Sequence, residues 1–185
     1  MRTSTVYRLT VPKFQRLAAT GVFEDDRVEL LDGVLTMMTT GPAHDYAVSQ
    51  LGDLLSDLLP RDRWSVREGK PLRLGAFWQP QPDIAIVRGS KREHATRTPT
   101  RLDVALIVEV SDTTYAKDAG KKLRWYQRCG IQTYWIVDLS RRRVEVRELG
   151  TRGLEVAVFY SEGDQVPLIL DGQDRGRVAV AELLV

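Results

Sequence analysis

Cysteine is scarce in this sequence: Cys129 is the single one among 185 residues. One cysteine excludes an internal disulfide and a zinc site built from cysteines, so a reducing cytoplasm is the expected location. No apolar run approaches the about 20 residues that a membrane-spanning helix requires, and residues 1–7 lack the apolar core of a signal peptide. We therefore expect a cytoplasmic protein that does not contact a membrane.

Several catalytic motifs are missing as well. The sequence has no glycine-rich phosphate loop, no His-Glu-x-x-His pair and no nucleophile-elbow serine, which argues against the sites that these motifs build. The 43% of apolar and 28% of charged residues are typical of an ordinary globular protein. The length predicts a single domain over residues 1–185.

Basic residues are concentrated in the second half of the chain. Residues 88–147 contain 14 Lys/Arg against 7 Asp/Glu, although the net charge of the whole chain is only +2. Such a region suits a phosphate backbone, and an arginine-rich solvated surface is an equally consistent alternative. On the first interpretation, loop arginines such as Arg92 and Arg97 hold the backbone of DNA.

Hydrophobic periodicity predicts an α/β fold with a mixed sheet flanked by helices. Asp32-Gly33 lies between two apolar runs and predicts a tight hairpin, because this pair supplies the positive φ angles of a two-residue turn. The run Val104–Val110 predicts a strand buried on both faces, and a helix over about Ala116–Arg128 links it to a strand at 133–138, which favours parallel pairing. Other helices are predicted at about residues 10–20 and 44–59, and other strands at 27–31, 34–38, 64–67, 71–74, 83–87, 144–149, 154–160 and 166–170.

Two carboxylates, Asp83 and Glu109, stand in places where a charge is costly. Asp83 opens an apolar strand after a proline, and Glu109 lies near the end of the run Val104–Val110. A buried charge requires a partner or a metal, and two carboxylates on adjacent strands could supply the hard oxygen ligands that Mg²⁺ prefers. A turn aspartate and an arginine-paired glutamate are the alternative from pattern alone.

Other candidate residues are ambiguous on their own. Asp118, Lys122 and Tyr126 follow one another at intervals of four and form one row on a helix. Lys122 could orient a water molecule or stabilise negative charge, although an exposed ion pair with Asp118 explains the spacing equally simply. His44, where a helix begins, could carry a proton or contact a phosphate, or could have no role. Glu29, in the first hairpin strand, is open to the same two interpretations.

Taken together and in order, these motifs resemble those of one family. They are listed as they stand in the chain: Val28-Glu29-Leu30-Leu31-Asp32-Gly33, His44, Gln81-Pro82-Asp83, Val108-Glu109-Val110-Ser111, then Asp118, Lys122, Tyr126 and Gly130, and finally Tyr134-Trp135-Ile136-Val137-Asp138. The chain is similar, from Leu9 to about Leu149, to the Uma family of restriction-endonuclease-like proteins, a bacterial branch of the PD-(D/E)XK nuclease superfamily. Each motif alone is weak, and their order and spacing carry the resemblance.

The resemblance implies roles for individual residues. Asp83 and Glu109 would be the metal-binding carboxylates, with the carbonyl of Val110 as a further ligand and Glu29 reaching the metal directly or through water. The superfamily lysine that lies two residues after the second carboxylate is replaced here by Ser111. The helix lysine Lys122 is then the expected catalytic lysine, with its neighbour Lys121 as the alternative, and His44 is an accessory group at the rim.

The expected activity is therefore Mg²⁺-dependent hydrolysis of DNA phosphodiester bonds by an endonuclease, with Mn²⁺ as a possible substitute. A non-cleaving nucleic-acid-binding module on the same fold is the alternative, and an interaction protein without nucleic acid is a third possibility, since a fold does not fix a function. A homodimer is expected, because a compact nuclease that cuts both strands needs two sites, and the C-terminal strands are candidates for its interface.

Overall fold

The computed structural model describes residues 6–24, 26–38, 40–149 and 155–185. Its third helix, α3, has α-helical parts at Tyr115–Lys117 and Leu123–Arg128 on either side of a π-helical segment at Asp118–Lys122. The complete order is α1 Val11–Ala18, β1 Val28–Leu31, β2 Val34–Met37, α2 Pro42–Leu58, β3 Trp64–Glu68, β4 Ile84–Arg88, β5 Val104–Ser111, α3, β6 Thr133–Asp138, β7 Arg143–Leu149, β8 Glu155–Ser161, β9 Gln165–Leu170, β10 Gln173–Ala179 and a 3₁₀ turn at Val180–Leu183.

Six strands form the central sheet, in the order β3-β4-β5-β6-β7-β8. β5 and β6 pair in parallel and are joined by α3, as the sequence predicts, whereas the other neighbouring strands in this sheet are antiparallel. The carboxyl ends of β5 and β6 therefore lie at the same end of the sheet as the start of β4. The predicted α/β fold, a mixed sheet flanked by helices, is confirmed.

All eight residues of β5 are buried, because helices or strands cover both faces of the sheet. Leu106, Val108 and Val110 belong to a core with α2 and the β9–β10 hairpin, whereas Ile107 packs with residues of α3. Side chains alternate between the two faces along a strand. Glu109 therefore lies on the same face as Ile107 and is directed toward α3.

The first hairpin brings β1 against the segment that precedes β4. Asp32 and Gly33 have φ angles of 54° and 78°, so the predicted two-residue turn with positive φ is confirmed. Leu30 exchanges two backbone hydrogen bonds with Gln79, with N–O distances of 3.2 and 2.9 Å. These bonds place Glu29, the residue before Leu30, beside the start of β4.

Two local features differ from the sequence prediction. The predicted strand at 71–74 is only an isolated bridge between Arg73 and Thr100, since Pro71 lacks the N–H that a strand ladder uses. The strand β10 was not predicted, and its pairing with β9 shifts register between Asp174 and Arg177. In the described part of the chain, no helix is long and apolar enough to cross a membrane.

Candidate active site

The site begins where β4 and β5 lie side by side. Ile84 pairs with Val108 in the antiparallel register, so Asp83, just before β4, lies next to Glu109 and Val110. The backbone N–H of Val110 donates to Asp83 Oδ2 at 2.8 Å. Both Asp83 and Glu109 are buried. The structure therefore brings together the two carboxylates that the sequence placed on adjacent strands.

Glu109 is held by two groups from α3. Lys122 Nζ donates to Glu109 Oε2 at 2.9 Å, and the Tyr126 hydroxyl donates to Oε1 at 2.8 Å. Both donors are buried. The predicted row of α3 residues thus faces Glu109 rather than solvent.

The π-helical segment of α3 explains why three residues at intervals of four stay aligned. In an α-helix, position i+4 overshoots one turn of 3.6 residues, whereas in the wider π turn, closed from i to i+5, it falls short of a full turn. The step from Asp118 to Lys122 is π-helical and the step from Lys122 to Tyr126 is α-helical. The two offsets oppose each other, so all three side chains point to one place.

Asp118 is another buried acid of the site, and the sequence prediction did not include it among the site residues. Its Oδ2 accepts hydrogen bonds from Ser111 Oγ at 2.5 Å and Thr114 Oγ1 at 2.6 Å, and its Oδ1 lies 3.7 Å from Lys122 Nζ. Ser111, two residues after Glu109, therefore binds an acid side chain. The sequence offered one signal for Asp118, its interval of four residues from Lys122, but an exposed ion pair on a helix has the same spacing.

Glu29 reaches the cluster from β1 and is completely buried. Its Oε2 accepts a hydrogen bond from the backbone N–H of Gln81 at 3.3 Å. Its Oε1 has no hydrogen-bond partner among the described residues, and it lies 3.9 Å from the Nζ atoms of both Lys117 and Lys122. Glu29 is thus an acid with unused acceptor capacity beside the central lysine.

His44, in the first turn of α2, contacts Asp83. Its Nε2 lies 3.1 Å from Asp83 Oδ2, and its Nδ1 lies 3.3 Å from Asp45 Oδ1. Burial would lower the pKa of His44, but the two carboxylates outweigh burial and raise it. For Asp83, burial acts to raise the pKa, and the hydrogen bond and charge of His44 reverse the direction and lower it. The pair therefore favours a charged histidine beside a charged aspartate.

The central cluster has an excess of negative charge. Burial raises the pKa of Glu109, Lys122 opposes this change, and the charges of Asp83, Asp118 and Glu29 add to it, so that the pKa is about 8. Burial would lower the pKa of Lys122, but the charges of Glu109, Glu29 and Asp118 raise it. Lys122 consequently remains a cation that balances part of the charge of its neighbours.

A cleft of about 250 Å³ opens onto these groups. His44, Asp83, Glu109, Val110, Asp118 and Lys122 line it, together with Lys117 and residues 112–114. Glu29 is not among the lining residues and lies within ion-pair distance of Lys122. Of the four predicted metal ligands, Asp83, Glu109 and Val110 therefore face the cleft, whereas Glu29 lies next to it.

The donor chemistry of this cleft suits a hard divalent cation. Carboxylate and carbonyl oxygens are the ligands of Mg²⁺ and Mn²⁺, and the free Oε1 of Glu29 adds another buried acceptor. Within the described residues, no three His, Cys, Asp or Glu side chains are already arranged around a common metal position. Lys122, Tyr126 and His44 bind the same carboxylates that a metal would use.

The two adjacent lysines of α3 occupy different environments. Lys122 is buried among the carboxylates, whereas Lys121 is exposed and its Nζ lies 4.7 Å from the centroid of a Trp125 ring. The geometry therefore brings Lys122, and not Lys121, to the candidate site.

The basic loop at 88–101 lies away from the cleft. It follows the carboxyl end of β4, whereas Asp83 precedes the amino end of that strand, and the four residue steps between the two ends span about 13 Å. Within this region, Arg97 binds Asp103 through two hydrogen bonds of 2.7 and 2.8 Å. The loop is therefore not part of the cleft, and the hypothesis that Arg92 and Arg97 hold the backbone of DNA stays a prediction.

Comparisons with known proteins agree with this fold. The family model Uma2, described as "Putative restriction endonuclease", matches residues 11–178. A crystal structure at 1.96 Å of a protein from Anabaena variabilis ATCC 29413, described as "a putative nuclease belonging to DUF820", superposes with a TM-score of 0.70. That pair is 12% identical and covers 95% of this chain and 97% of the other, so it shows the fold alone. No curated protein gave a significant match.

The family model spans nearly all of the chain and includes every candidate site residue from Glu29 to Tyr126. The chain belongs to the Uma2 family.

Proposed function

We propose that this protein is a divalent-metal-dependent endonuclease that hydrolyses phosphodiester bonds in DNA. The observation that carries the proposal is the gathering of four buried acids, Glu29, Asp83, Glu109 and Asp118, around the buried Lys122 beside an open cleft. Burying charges is costly and seldom favours stability. A cluster of this composition therefore points to a role in chemistry, and the family description supports a nuclease.

Asp83 and Glu109 are the proposed metal-binding carboxylates, with the Val110 carbonyl as a third protein ligand. Glu29 lies next to the cleft and would reach the metal directly or through water. When bound, Mg²⁺ or Mn²⁺ polarises the scissile phosphate and makes a bound water more acidic. Mg²⁺ usually takes one or two protein carboxylates and keeps several waters, which fits a cleft with two lining carboxylates on adjacent strands.

Lys122 is the proposed catalytic lysine. Its raised pKa keeps the ammonium charged, and a fixed, buried positive charge stabilises negative charge that develops on a phosphoryl group. Asp118 is a positioning residue, since Ser111 and Thr114 hold its carboxylate 3.7 Å from Lys122 Nζ. The lysine also donates to the attacking water and so orients it toward the phosphorus.

The rim of the cleft provides two further cationic groups. His44 is favoured in its charged form by Asp83 and Asp45, and Lys117 is 38% exposed while facing Glu29. Both residues line the cleft. We assign them to phosphates that flank the scissile bond, because a positive side chain at a rim binds the backbone without reading sequence.

A non-cleaving module on this fold is the weaker alternative. A protein that only binds nucleic acid has no need for buried acids opposite a lysine. Here Lys122 lies within 4 Å of Glu29 and Glu109, and Asp83 binds the backbone N–H of Val110, the residue after Glu109. The geometry therefore favours cleavage over binding alone.

The test is cleavage of supercoiled plasmid in Mg²⁺ or Mn²⁺ by the wild type and by Asp83→Asn and Glu109→Gln. Each substitution keeps the size of the side chain and removes its charge. Losing a residue that only orients a metal ligand costs about 10–100-fold, so losing a ligand itself should lower the rate by more than about 100-fold. Calorimetric titration with Mn²⁺ should show the same two variants losing metal binding.

The matched control is Glu145→Gln. Glu145 is as buried as Glu109 and lies two strands away, opposite the same residue Ile136, but it does not line the cleft. We expect this control to cleave and to bind Mn²⁺ as the wild type does. Full cleavage by Asp83→Asn or Glu109→Gln would reject the proposed site, and a wild type that neither binds Mn²⁺ nor cleaves DNA would reject the function.

A further inference from the structure

The edge strand β8 has a free side that is apolar and exposed. β8 is the last strand of the central sheet and pairs with β7 alone in the described part of the chain. Val156, Val158 and Phe159 are 57%, 43% and 49% exposed. A free edge of this kind presents unpaired backbone N–H and C=O groups to another chain.

The usual protective features of an edge strand are missing from residues 156–160. This segment reads Val-Ala-Val-Phe-Tyr, without charge or proline, and its pairing with β7 runs without a register shift. The opposite edge strand, β3, ends in Arg67 and Glu68 and packs against α2. Native proteins protect edges with charges, prolines, bulges or a covering element, so β8 differs from β3 in a way that calls for a partner.

We propose that β8 pairs with β8 of a second copy of this chain, antiparallel and around a two-fold axis at Val158. In that register Val158 faces its own counterpart, Val156 faces Tyr160, and Ala157 faces Phe159. Pairs of aromatic and β-branched side chains across strands are stabilising, and no like charges oppose each other between residues 156 and 160. The strand is its own complement, as a two-fold interface requires, whereas it has no charge with which to select a charged partner.

This dimer joins two six-stranded sheets into one continuous sheet. β5 and its counterpart are then seven interstrand spacings apart, which is roughly 34 Å. Antiparallel pairing also reverses the strand direction, so the two clefts open at opposite ends of the joined sheet. On the proposed function, each cleft then acts alone on its own phosphodiester bond.

The first test is the mass of the full chain in solution, measured by sedimentation velocity at micromolar concentrations. We expect the wild type at twice the monomer mass of 21.0 kDa, and Val158→Lys at the monomer mass because two lysines would face each other at the axis. The control is Ile169→Lys on β9, a site with a similar exposure of 39%, which should remain a dimer. A monomeric wild type, or a dimeric Val158→Lys, would overturn the proposal.

The second test locates the axis by disulfide formation in a Cys129→Ser background. Directly opposed residues in antiparallel strands have Cα atoms about 4.5–5.5 Å apart, which a disulfide can bridge. Val158→Cys should therefore form a covalent dimer on mild oxidation, whereas Val156→Cys should not, because its counterpart is four residues out of register. Cross-linking of Val156→Cys but not of Val158→Cys would reject the proposed register.

The dimer and the nuclease can fail separately. Sedimentation and cross-linking do not require catalysis, and Val158 is not part of the cleft. The Val158→Lys monomer should cleave plasmid at the wild-type rate per chain. A loss of cleavage in a folded monomer would contradict the statement that each cleft acts alone.

Discussion

Replacing Lys122 with methionine would remove the central cation of the acid cluster while keeping most of the side-chain volume. The ammonium lies 2.9 Å from Glu109 Oε2, 3.7 Å from Asp118 Oδ1 and 3.9 Å from Glu29 Oε1. All three acids are buried. Lys122→Met leaves them facing one another without that counter-ion, so we expect the metal-free protein to be strongly destabilised.

The expected size of this effect follows from the burial of the cluster. Removing one partner of a buried ion pair costs about 3–5 kcal/mol, because the remaining charge is uncompensated. For a protein of this length, 1 kcal/mol corresponds to about 2–4 °C in melting temperature, so the loss is roughly 6–20 °C. The control Lys121→Met removes an exposed contact with Trp125, which is worth about 0.5–1 kcal/mol.

The assay is urea unfolding of the wild type and both variants, in EDTA and in Mg²⁺. A ligand that binds only the folded protein stabilises it by about 2.7 kcal/mol at a concentration of 100 Kd. Because a divalent ion supplies positive charge to the same acids, Mg²⁺ should stabilise Lys122→Met more than it stabilises the wild type. The same addition should leave the difference between Lys121→Met and the wild type unchanged.

Two outcomes would refute this reasoning. If Lys122→Met unfolds in EDTA at the same urea concentration as Lys121→Met, the acids do not depend on the lysine charge for their burial. If the variant is unstable but Mg²⁺ gives it no greater gain than it gives the wild type, the acid cluster is not where the metal binds.

Two further predictions concern single contacts. Tyr126→Phe removes the hydroxyl that donates to Glu109 Oε1 at 2.8 Å, and urea unfolding should show a loss of about 1–3 kcal/mol, because a buried carboxyl oxygen is left without its partner; an unchanged midpoint would contradict the assignment of that bond. Asp103→Asn weakens the contact with Arg97, which holds the pKa of Asp103 well below its ordinary value of 3.8, and should cost about 1 kcal/mol at neutral pH. Because a lowered folded pKa stabilises the protein above the unfolded pKa, the difference between this variant and the wild type should persist down to about pH 4 and shrink as the pH falls further; a constant difference would refute the role of the carboxylate charge.

The central strands were predictable because their apolar runs are long and bounded. Val104–Val110 could be placed between two layers from composition alone, and the helix that follows required a parallel partner. β10 was missed because residues 173–179, Gln-Asp-Arg-Gly-Arg-Val-Ala, show little alternation of apolar and polar side chains. Its strand conformation depends on pairing with β9, which is a tertiary contact that local sequence does not encode.

The acids of the site also include some that the sequence could predict and one that it could not. Asp83 and Glu109 could be found because each interrupts or borders an apolar strand. Asp118 could not, since an interval of four from a lysine is equally typical of an exposed helix face, and only the π-helical segment with its neighbours Ser111 and Thr114 shows that it is buried. The position of the loop arginines depended on strand direction, which residue spacing alone does not give.

On the proposed function, the buried lysine resolves a conflict between the stability of the fold and metal binding. Several carboxylates gathered for a divalent ion oppose folding while the ion is absent, because unbalanced buried acids are costly. Lys122 supplies a resident positive charge within 4 Å of three of them, while Asp83 is balanced separately by His44. A metal held by Glu109 would compete with the Lys122 ammonium for that carboxylate. On the proposed function, the same ammonium would donate to the attacking water, so the group that stabilises the metal-free fold would also assist the reaction.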